Sequence, residues 1–563
     1  MCEVQLGEIK QMSIKLRNWQ KEALVKAWEW LVERSEDRHF LVNAAPGAGK
    51  TLFSCALAQE LIQSEEIERV IVIAPRTEVV NQWADDFRTV TGRHMARVTG
   101  ADGDIEAMAI DVCSTWSAIQ GLLPELQAVC QSSKTLVICD EHHHAAVQAA
   151  WGKGANGAFA DAKYVLVLTG TPIRSDGAES VWLAYDNAGA IDHPEEGTYV
   201  LTYGDAVELG YCRPVTFHRH EGRFTVDLDD GSQVSVSGQV KAVLPESLKR
   251  TPALQRALDF YRLARTPQFE KNGITPLVDG YQGTMIQWGI DKLNDLRHRM
   301  PNAGGLIIAP NIEMAEYMVD LIEAIEGEKP MLVHSQMANP NSKIRAFRNT
   351  DKRWLVSVAM VSEGVDIKRL RVLIYLPNAL TELAFRQAVG RVVRTMGNDD
   401  DTRAYVILPA FETFERYARR VEDEMPSAAR VEKKQSKKRC SMCGTENALG
   451  ASECHECGHE FPEAPQRTKT CSECGSLNSL SSTECHACGH EFTQGFSLTL
   501  DEALRTGAIV RGMDINEESV RESEEIADVV RGRVMRSGDQ RLVRVLQTLP
   551  EESWVRLREF LVD

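Results

Sequence analysis

No stretch of the 563-residue sequence contains the roughly 20 consecutive apolar residues that a membrane helix needs, so no membrane-spanning helix is expected. Positive charge is in deficit. The 64 Lys and Arg against 81 Asp and Glu leave a net charge of −17, which argues against gripping a polyanion with the whole surface. A nucleic acid would have to lie in a local basic groove. The opening MCEVQLGEIKQMSIKLRNWQ lacks a basic segment followed by an apolar one, so no secretory leader is expected. Six cysteines (Cys2, Cys55, Cys113, Cys130, Cys139 and Cys212) are scattered with no pairing pattern. A disulfide framework is not expected in a chain with room for several large cores, and the cytoplasm is the expected compartment.

What the sequence does contain is a repeated alternation of apolar runs and helical stretches. HFLVNA (39–44), RVIVIA (69–74), TLVICD (135–140) and YVLVLT (164–169) form one set. GLIIA (305–309), MLV (331–333), WLVSV (354–358), VLIYL (372–376) and AYVIL (404–408) form another. Continuous apolar runs joined by helical patterns predict parallel strands covered on both faces, hence an α/β chain with two lobes, 1–202 and 301–425. Between them, 203–300 differs. Phe224, Val226 and Leu228 alternate up to Asp229-Asp230-Gly231, and Val234 and Val236 follow, which predicts a hairpin; helices are expected from Leu254 to Met300. The hairpin could separate strands, although its acidic tip favours a plain surface role. A basic linker spans 426–439. A charged, helical tail occupies 497–563, with helix starts expected near Thr499 and Asn516.

Two motifs carry phosphate chemistry. Asn43 to Thr51 (NAAPGAGKT) follows a strand and opens a helix, the context of a phosphate loop. Gly47 and Gly49 let backbone N–H groups close round phosphates, Lys50 reaches the β/γ oxygens, and Thr51 offers a hydroxyl to Mg²⁺. Ala44 stands where the usual pattern has its first glycine. Asp140-Glu141-His142-His143 directly follows a strand. A carboxylate there can hold the Mg²⁺ of a bound nucleotide, and its neighbour can orient the attacking water, so Asp140 is read as metal-binding and Glu141 as catalytic. His142, His143 and His144 offer a rival metal site, but three consecutive histidines cannot all face one ion without an unusual loop.

A third motif is duplicated. Cys440, Cys443, Cys454 and Cys457 recur 31 residues later as Cys471, Cys474, Cys485 and Cys488, with the same C-x2-C-x10-C-x2-C spacing. Four thiolates in two knuckles suit tetrahedral Zn²⁺, so two structural zinc ions are expected in small ribbons at 440–461 and 471–492. Iron in a rubredoxin-like site is the lesser alternative. The ribbons are read as a docking module for nucleic acid or protein, or as a metal-stapled spacer.

The order of motifs resembles the DExH-type superfamily 2 helicases over about residues 15–425. Leu16 to Gln20 resembles the adenine-reading Q motif, which implies Gln20 as reader. Ala74-Pro75-Arg76-Thr77 and Cys113-Ser114-Thr115 resemble strand-contacting motifs, implying nucleic-acid contacts from Pro75, Arg76, Thr77, Ser114 and Thr115. Leu168 to Pro172 resembles the coupling motif III, with Gly170 where the family more often has Ala, and Leu306 to Ala309 resembles motif IV. Ser362 to Asp366 resembles motif V, which implies nucleotide contacts from Gly364 and Asp366. Gln387 to Arg394 resembles motif VI, implying a catalytic Gln387 and arginine fingers at Arg391 and Arg394, placed at i, i+3 on one helix face. The resemblance implies two RecA-like lobes, ATP and Mg²⁺, and a nucleic-acid-stimulated ATPase. A core of this kind followed by tandem zinc ribbons also resembles, in layout, the RadD-type DNA repair helicases, and restriction and phage-defence helicases share the core. DNA is favoured over RNA as partner, with a protein partner for the ribbons or tail as a further use. An RNA helicase and a nucleic-acid clamp without turnover are the competing readings.

Overall fold

Each apolar run that carries the two-lobe expectation forms a strand in the structure, a computed structural model. It describes residues 15–75, 77–98, 110–141, 157–170, 184–185, 191–227, 233–238, 258–334, 336–358, 367–397, 400–430, 437–440, 442–448, 451–461, 468–470, 476–479, 485–489, 495–499 and 510–511. The chain divides into two units, Met1–Ala206 and Val207–Asp563.

The first unit is built on strands β1 (His39–Ala44), β2 (Arg69–Ala74), β3 (Met95–Val98), β4 (Asp111–Thr115), β5 (Thr135–Cys139), β6 (Tyr164–Thr169) and β7 (Thr198–Leu201). They lie in the order β3-β4-β2-β5-β6-β1-β7, all parallel. Helices α1 (Asn18–Trp28), α2 (Lys50–Gln63), α3 (Thr77–Thr91) and α4 (Leu123–Ser132) accompany the sheet. In α3 the buried residues are Val79, Val80, Trp83, Ala84, Phe87 and Val90, a stripe at helical spacing that packs inward. Because all strands run the same way, the segments after β1, β5 and β6 emerge at one carboxyl edge. With β6 between β1 and β5, the phosphate loop and the acidic motif face each other across a single strand, where open α/β sheets bind ligands.

The second unit holds a six-stranded parallel sheet. Its strands are β8 (Val215–His220), β11 (Gly304–Ala309), β12 (Met331–Val333), β13 (Trp354–Val358), β14 (Leu370–Tyr375) and β15 (Ala404–Pro409), ordered β8-β15-β14-β11-β13-β12. Helices α5 (Tyr281–Arg297), α6 (Ile312–Glu326), α7 (Pro340–Arg348), α8 (Glu382–Val392) and α9 (Glu412–Glu424) accompany it. Two elements from the stretch read as intervening thus serve this unit: β8 is an edge strand of the sheet, and α5 packs on β14. The polar VTFHRH of β8 hides it among the apolar runs. An edge strand needs only partial burial, and Val215, Phe217 and His220 supply it.

The hairpin forms from β9 (Arg223–Asp227) and β10 (Gln233–Ser237), with Phe224, Val226, Val234 and Val236 buried. Its tip lies outside the described residues. The far side of β9 pairs in parallel with a strand from beyond the zinc ribbons, Gly495–Thr499, whose Phe496 packs against Phe224 and Tyr281. Thr499 ends this strand, where alternating Phe496 and Leu498 find a sheet edge to cover, and the helix expected to start near it would lie outside the described residues. Asn516 and the rest of the expected helical tail lie outside the described residues, apart from the two-residue strand Val510–Arg511. No helix among the described residues is long and apolar enough to cross a membrane.

Candidate functional site

The phosphate loop runs from the end of β1 at Ala44 to the start of α2 at Lys50. Gly47 (φ 80°) and Gly49 (φ 99°) are left-handed, a backbone state that side chains disfavour, and a Cβ on Gly49 would sit 2.8 Å from the Gln20 amide nitrogen. Lys50 Nζ donates to the Ala44 carbonyl at 2.8 Å, which folds the ammonium over the loop. Gly170, after β6, lies against that ammonium, with a built Cβ 3.0 Å from Nζ.

Three side chains before and within α1 fix the loop's carbonyls. Arg17 Nη1 donates to Ala48 O at 2.8 Å, Trp19 Nε1 to the same oxygen at 3.1 Å, and Gln20 Nε2 to Gly49 O at 2.9 Å. A trans peptide points its C=O and the next N–H in opposite directions. Holding these carbonyls on the α1 side therefore aims the N–H groups of Gly49 and Lys50 the other way, as a phosphate cradle requires. Gln20 is buried, and its amide oxygen accepts from Arg17 N at 2.7 Å, so in this structure its amide engages the loop backbone at one end and its own helix start at the other. Motif reading does not single out Arg17 and Trp19. Their position three residues or fewer from Gln20 is the available signal.

The acidic motif follows β5. Asp140 Oδ2 accepts from Trp83 Nε1 at 2.8 Å, and the Asp140 carbonyl accepts from Trp116 Nε1 at 3.0 Å; both tryptophans are buried. Burial, and next the neighbouring Glu141 charge, push the Asp140 carboxyl up to about 6, against the pull of Trp83 and Lys50. The donor set fits a magnesium-bound nucleotide: a buried carboxylate with one oxygen already oriented, opposite a loop with a lysine. A bound divalent cation would favour the ionised form that burial opposes. Glu141 adopts φ 50°, a left-handed state that costs a non-glycine residue about 1–3 kcal/mol. Trp83 and Trp116 are invisible to motif reading because they approach Asp140 only through the fold.

Among the residues read as strand contacts, Ser114 and Thr115 are buried at the end of β4, and Thr115 Oγ1 lies 3.0 Å from Ser117 Oγ. Pro75 is half-buried and Thr77, the first residue of α3, is exposed; Arg76 lies outside the described residues.

In the second unit, α8 carries Gln387, half-buried, and Arg391, buried in its last turn. Arg394 does not share a helix face with Arg391. The helix ends at Val392, and Arg394 forms an isolated β-bridge with Cys212 while its Nε reaches back to Gly390 O at 3.3 Å. The i, i+3 expectation fails because the helix terminates between the two arginines. Gly364 and Asp366 lie outside the described residues.

The ribbon at 440–461 gathers its thiols. The ligand atoms of Cys440, Cys443, Cys454 and Cys457 all lie within 4.8 Å of one another, with Sγ separations of 3.5 Å (Cys440–Cys457) and 3.6 Å (Cys443–Cys454). Tetrahedral Zn–S bonds of about 2.3 Å place sulfurs about 3.8 Å apart, so the set fits zinc. Lys437–Arg439, read as the end of the linker, pairs with Glu446–Ala448 as this ribbon's hairpin. In each knuckle a left-handed glycine donates to the first cysteine's carbonyl at 2.9 Å: Gly444 to Cys440 and Gly458 to Cys454. The second copy repeats this at Gly489 and Cys485, beside Cys488; Cys471 and Cys474 lie outside the described residues.

Residues 13–174 match the family described as type III restriction enzyme, res subunit, and 288–396 match the helicase conserved C-terminal domain. The uncharacterized protein Rv2917 of Mycobacterium tuberculosis is 33% identical over 383 residues, covering 68% of this chain and 59% of that protein. The uncharacterized protein ML1624 of Mycobacterium leprae is likewise 33% identical over 383 residues, covering 68% of this chain and 60% of its own length. The chain thus spans about three-fifths of these relatives. Among solved structures, the ATP-dependent type ISP restriction-modification enzyme LlaBIII bound to DNA gives a TM-score of 0.44 at 18% identity, covering 70% of this chain and 28% of that one. Dbp5 of S. cerevisiae bound to RNA and ADP BeF3 gives 0.42 at 11% identity, covering 74% and 89%.

Proposed function

We propose that this chain, a superfamily 2 helicase by its two motor domains, is an ATP-driven translocase or helicase that acts on DNA in repair, restriction or phage-related processes. The observation that carries the reading is the pairing, at one carboxyl edge, of a lysine-bearing phosphate loop with a tryptophan-held aspartate and its neighbouring glutamate. Lys50 and the loop N–H groups hold the β- and γ-phosphates. Asp140 holds the metal ion, Thr51 contributes a hydroxyl beside it, and Glu141 orients the attacking water. When bound there, Mg²⁺ would supply positive charge against the negative charge that develops on the phosphates. Gln387, Arg391 and Arg394 act on the transferring phosphoryl group, and Gly364 and Asp366 on the nucleotide. Gln20 tunes the loop through Gly49 O. Pro75, Arg76 and Thr77 contact the strand backbone, with Ser114 and Thr115 supporting from within.

DNA is favoured because the match over 13–174 is to a restriction enzyme subunit, a class that works on DNA. The test is ATPase activity with single-stranded DNA, duplex DNA, single-stranded RNA and no polymer. Stimulation by DNA well above RNA supports the reading; stimulation by RNA alone would make the chain an RNA helicase.

The ribbons are proposed to bind two zinc ions, each closing a fold too small to bury a core of its own. Metal analysis should return two zinc per chain, and Cys443→Ser should lose one ion and leave ATPase activity intact. Iron or no metal would reject the site.

Part of the nucleic-acid grip is proposed to lie beside the first ribbon. Replacing Lys433, Lys434, Lys437, Lys438 and Arg439 with glutamine should weaken binding. It should also flatten log K against log[salt], by about 0.7–0.9 for each phosphate the chain no longer neutralises. Core ATPase at saturating polymer should persist. An unchanged slope and affinity would assign the ribbons to a protein partner instead.

A further inference from the structure

We propose that Arg213 is a positioning residue for Arg391 and Arg394, pinning the end of α8 to the segment by which the chain enters the second unit. The inference rests on the reading of these arginines as acting on the phosphoryl group. Arg213 lies seven residues beyond Ala206, where the first unit ends, and its side chain is fully buried. Its Nη1 donates to Leu370 O at 3.0 Å and Val392 O at 3.2 Å, and its Nη2 donates to the Arg394 carbonyl and to Asp400 Oδ2 at 2.6 Å. Its backbone N–H donates to Val393 O at 2.8 Å. One residue thus satisfies the carbonyls of Val392, Val393 and Arg394. The first two are groups that a helix end leaves without partners, at the negative pole of its dipole, and the third lies just beyond them.

The chain on either side is tied to the same point. Cys212 bridges Arg394, and Thr395 Oγ1 donates to Tyr211 O at 3.4 Å. Asp400 Oδ2 also accepts from Met396 N at 2.9 Å and from Arg371 Nη2 at 2.9 Å. Arg371 is fully buried as well and donates to Thr402 Oγ1 at 2.8 Å. Two buried guanidiniums therefore share one carboxylate. Such a cluster is an expensive way to fill space, since apolar residues of similar volume often stabilise as much or more. What it does provide is a backbone from 392 to 396 held at several points, with Arg394 inside the held stretch and Arg391 directly before it. Burial, and next the adjacent Arg213 charge, hold the Arg371 guanidinium down at about 9, so the two cations oppose each other.

That opposition selects the variant. Asp400→Asn would strand two buried cations. Arg213→Met removes one of them, leaves Arg371 and Asp400 paired one to one, and is expected to fold; Arg213→Lys keeps the charge but cannot fork to several carbonyls. The experiment measures kcat and KM for ATP at saturating single-stranded DNA in the full chain, with equilibrium binding of a fluorescent ATP analogue and a thermal melt alongside. The chains compared are wild type, both Arg213 variants, Arg391→Ala and the double variant Arg213→Met/Arg391→Ala. Both Arg213 variants should lose about 10- to 100-fold in kcat, the scale of a misplaced catalytic group, with KM and analogue affinity within about twofold. In the Arg391→Ala background the Arg213→Met change should cost clearly less, because part of its effect passes through Arg391 and only the part through Arg394 remains. Wild-type kcat in both Arg213 variants, or an equal loss in both backgrounds, would overturn the inference. Wild-type turnover in Arg391→Ala would instead sink the reading of Arg391, and this inference with it.

Discussion

Replacing Glu141 with Gln is expected to slow ATP hydrolysis by about 10²- to 10⁴-fold while leaving ATP affinity within about twofold, the range associated with loss of general acid–base action. The amide keeps the size of the carboxylate but cannot take or strongly attract a proton from water. Asp140, with Oδ2 held by Trp83 and its carbonyl by Trp116, is untouched, so the proposed metal ligand and the phosphate loop persist. The left-handed φ of 50° at position 141 is a property of the backbone that Gln can also adopt. A filter-binding or fluorescent-nucleotide assay beside phosphate release separates the two effects. Hydrolysis at the wild-type rate would remove Glu141 from the chemistry; loss of ATP binding would make it a ligand instead.

Arg391→Ala is expected to lower kcat by about 10³-fold, at the low end of what an arginine finger contributes, with KM rising only a few fold. A finger meets charge that grows in the transition state, so its loss falls on kcat and not on ground-state binding. Arg391 is mostly buried in the last turn of α8, whose other end is held by the Thr381 cap and the Arg386–Glu424 ion pair. Truncation should therefore leave the helix in place, and a thermal melt close to wild type checks that. A raised KM with unchanged kcat would make Arg391 a nucleotide-binding residue without a catalytic role.

Local features are legible in the sequence. The phosphate loop, the acidic motif after β5 and the apolar strands are contiguous runs, and the ribbon cysteines recur at a fixed local spacing, so their chemistry and periodicity are read within a short stretch of chain. The parts that hold the site still are not. Trp83 reaches Asp140 across 57 positions, and Arg213 reaches Asp400 across 187. Neither pairing leaves a mark in local spacing, because a buried tryptophan or arginine reads like any other core or surface residue until the fold brings its partner. β8 escapes because edge strands tolerate polar residues, and Arg394 reads as helical because the motif's spacing gives no sign of where the helix stops. The strand Gly495–Thr499 escapes because its partner strand lies far earlier in the chain, at Arg223–Asp227.

The most direct test is the rate of phosphate release from ATP by the purified chain, with and without single-stranded DNA, in wild type and Lys50→Ala side by side. Lys50 is a single cation on a preformed loop, so its loss should leave the fold intact. Expected is slow hydrolysis by the wild type alone, strong stimulation by DNA, and neither in Lys50→Ala. A wild-type chain that binds DNA but releases no phosphate under any polymer would contradict an ATP-driven motor and leave a nucleic-acid clamp.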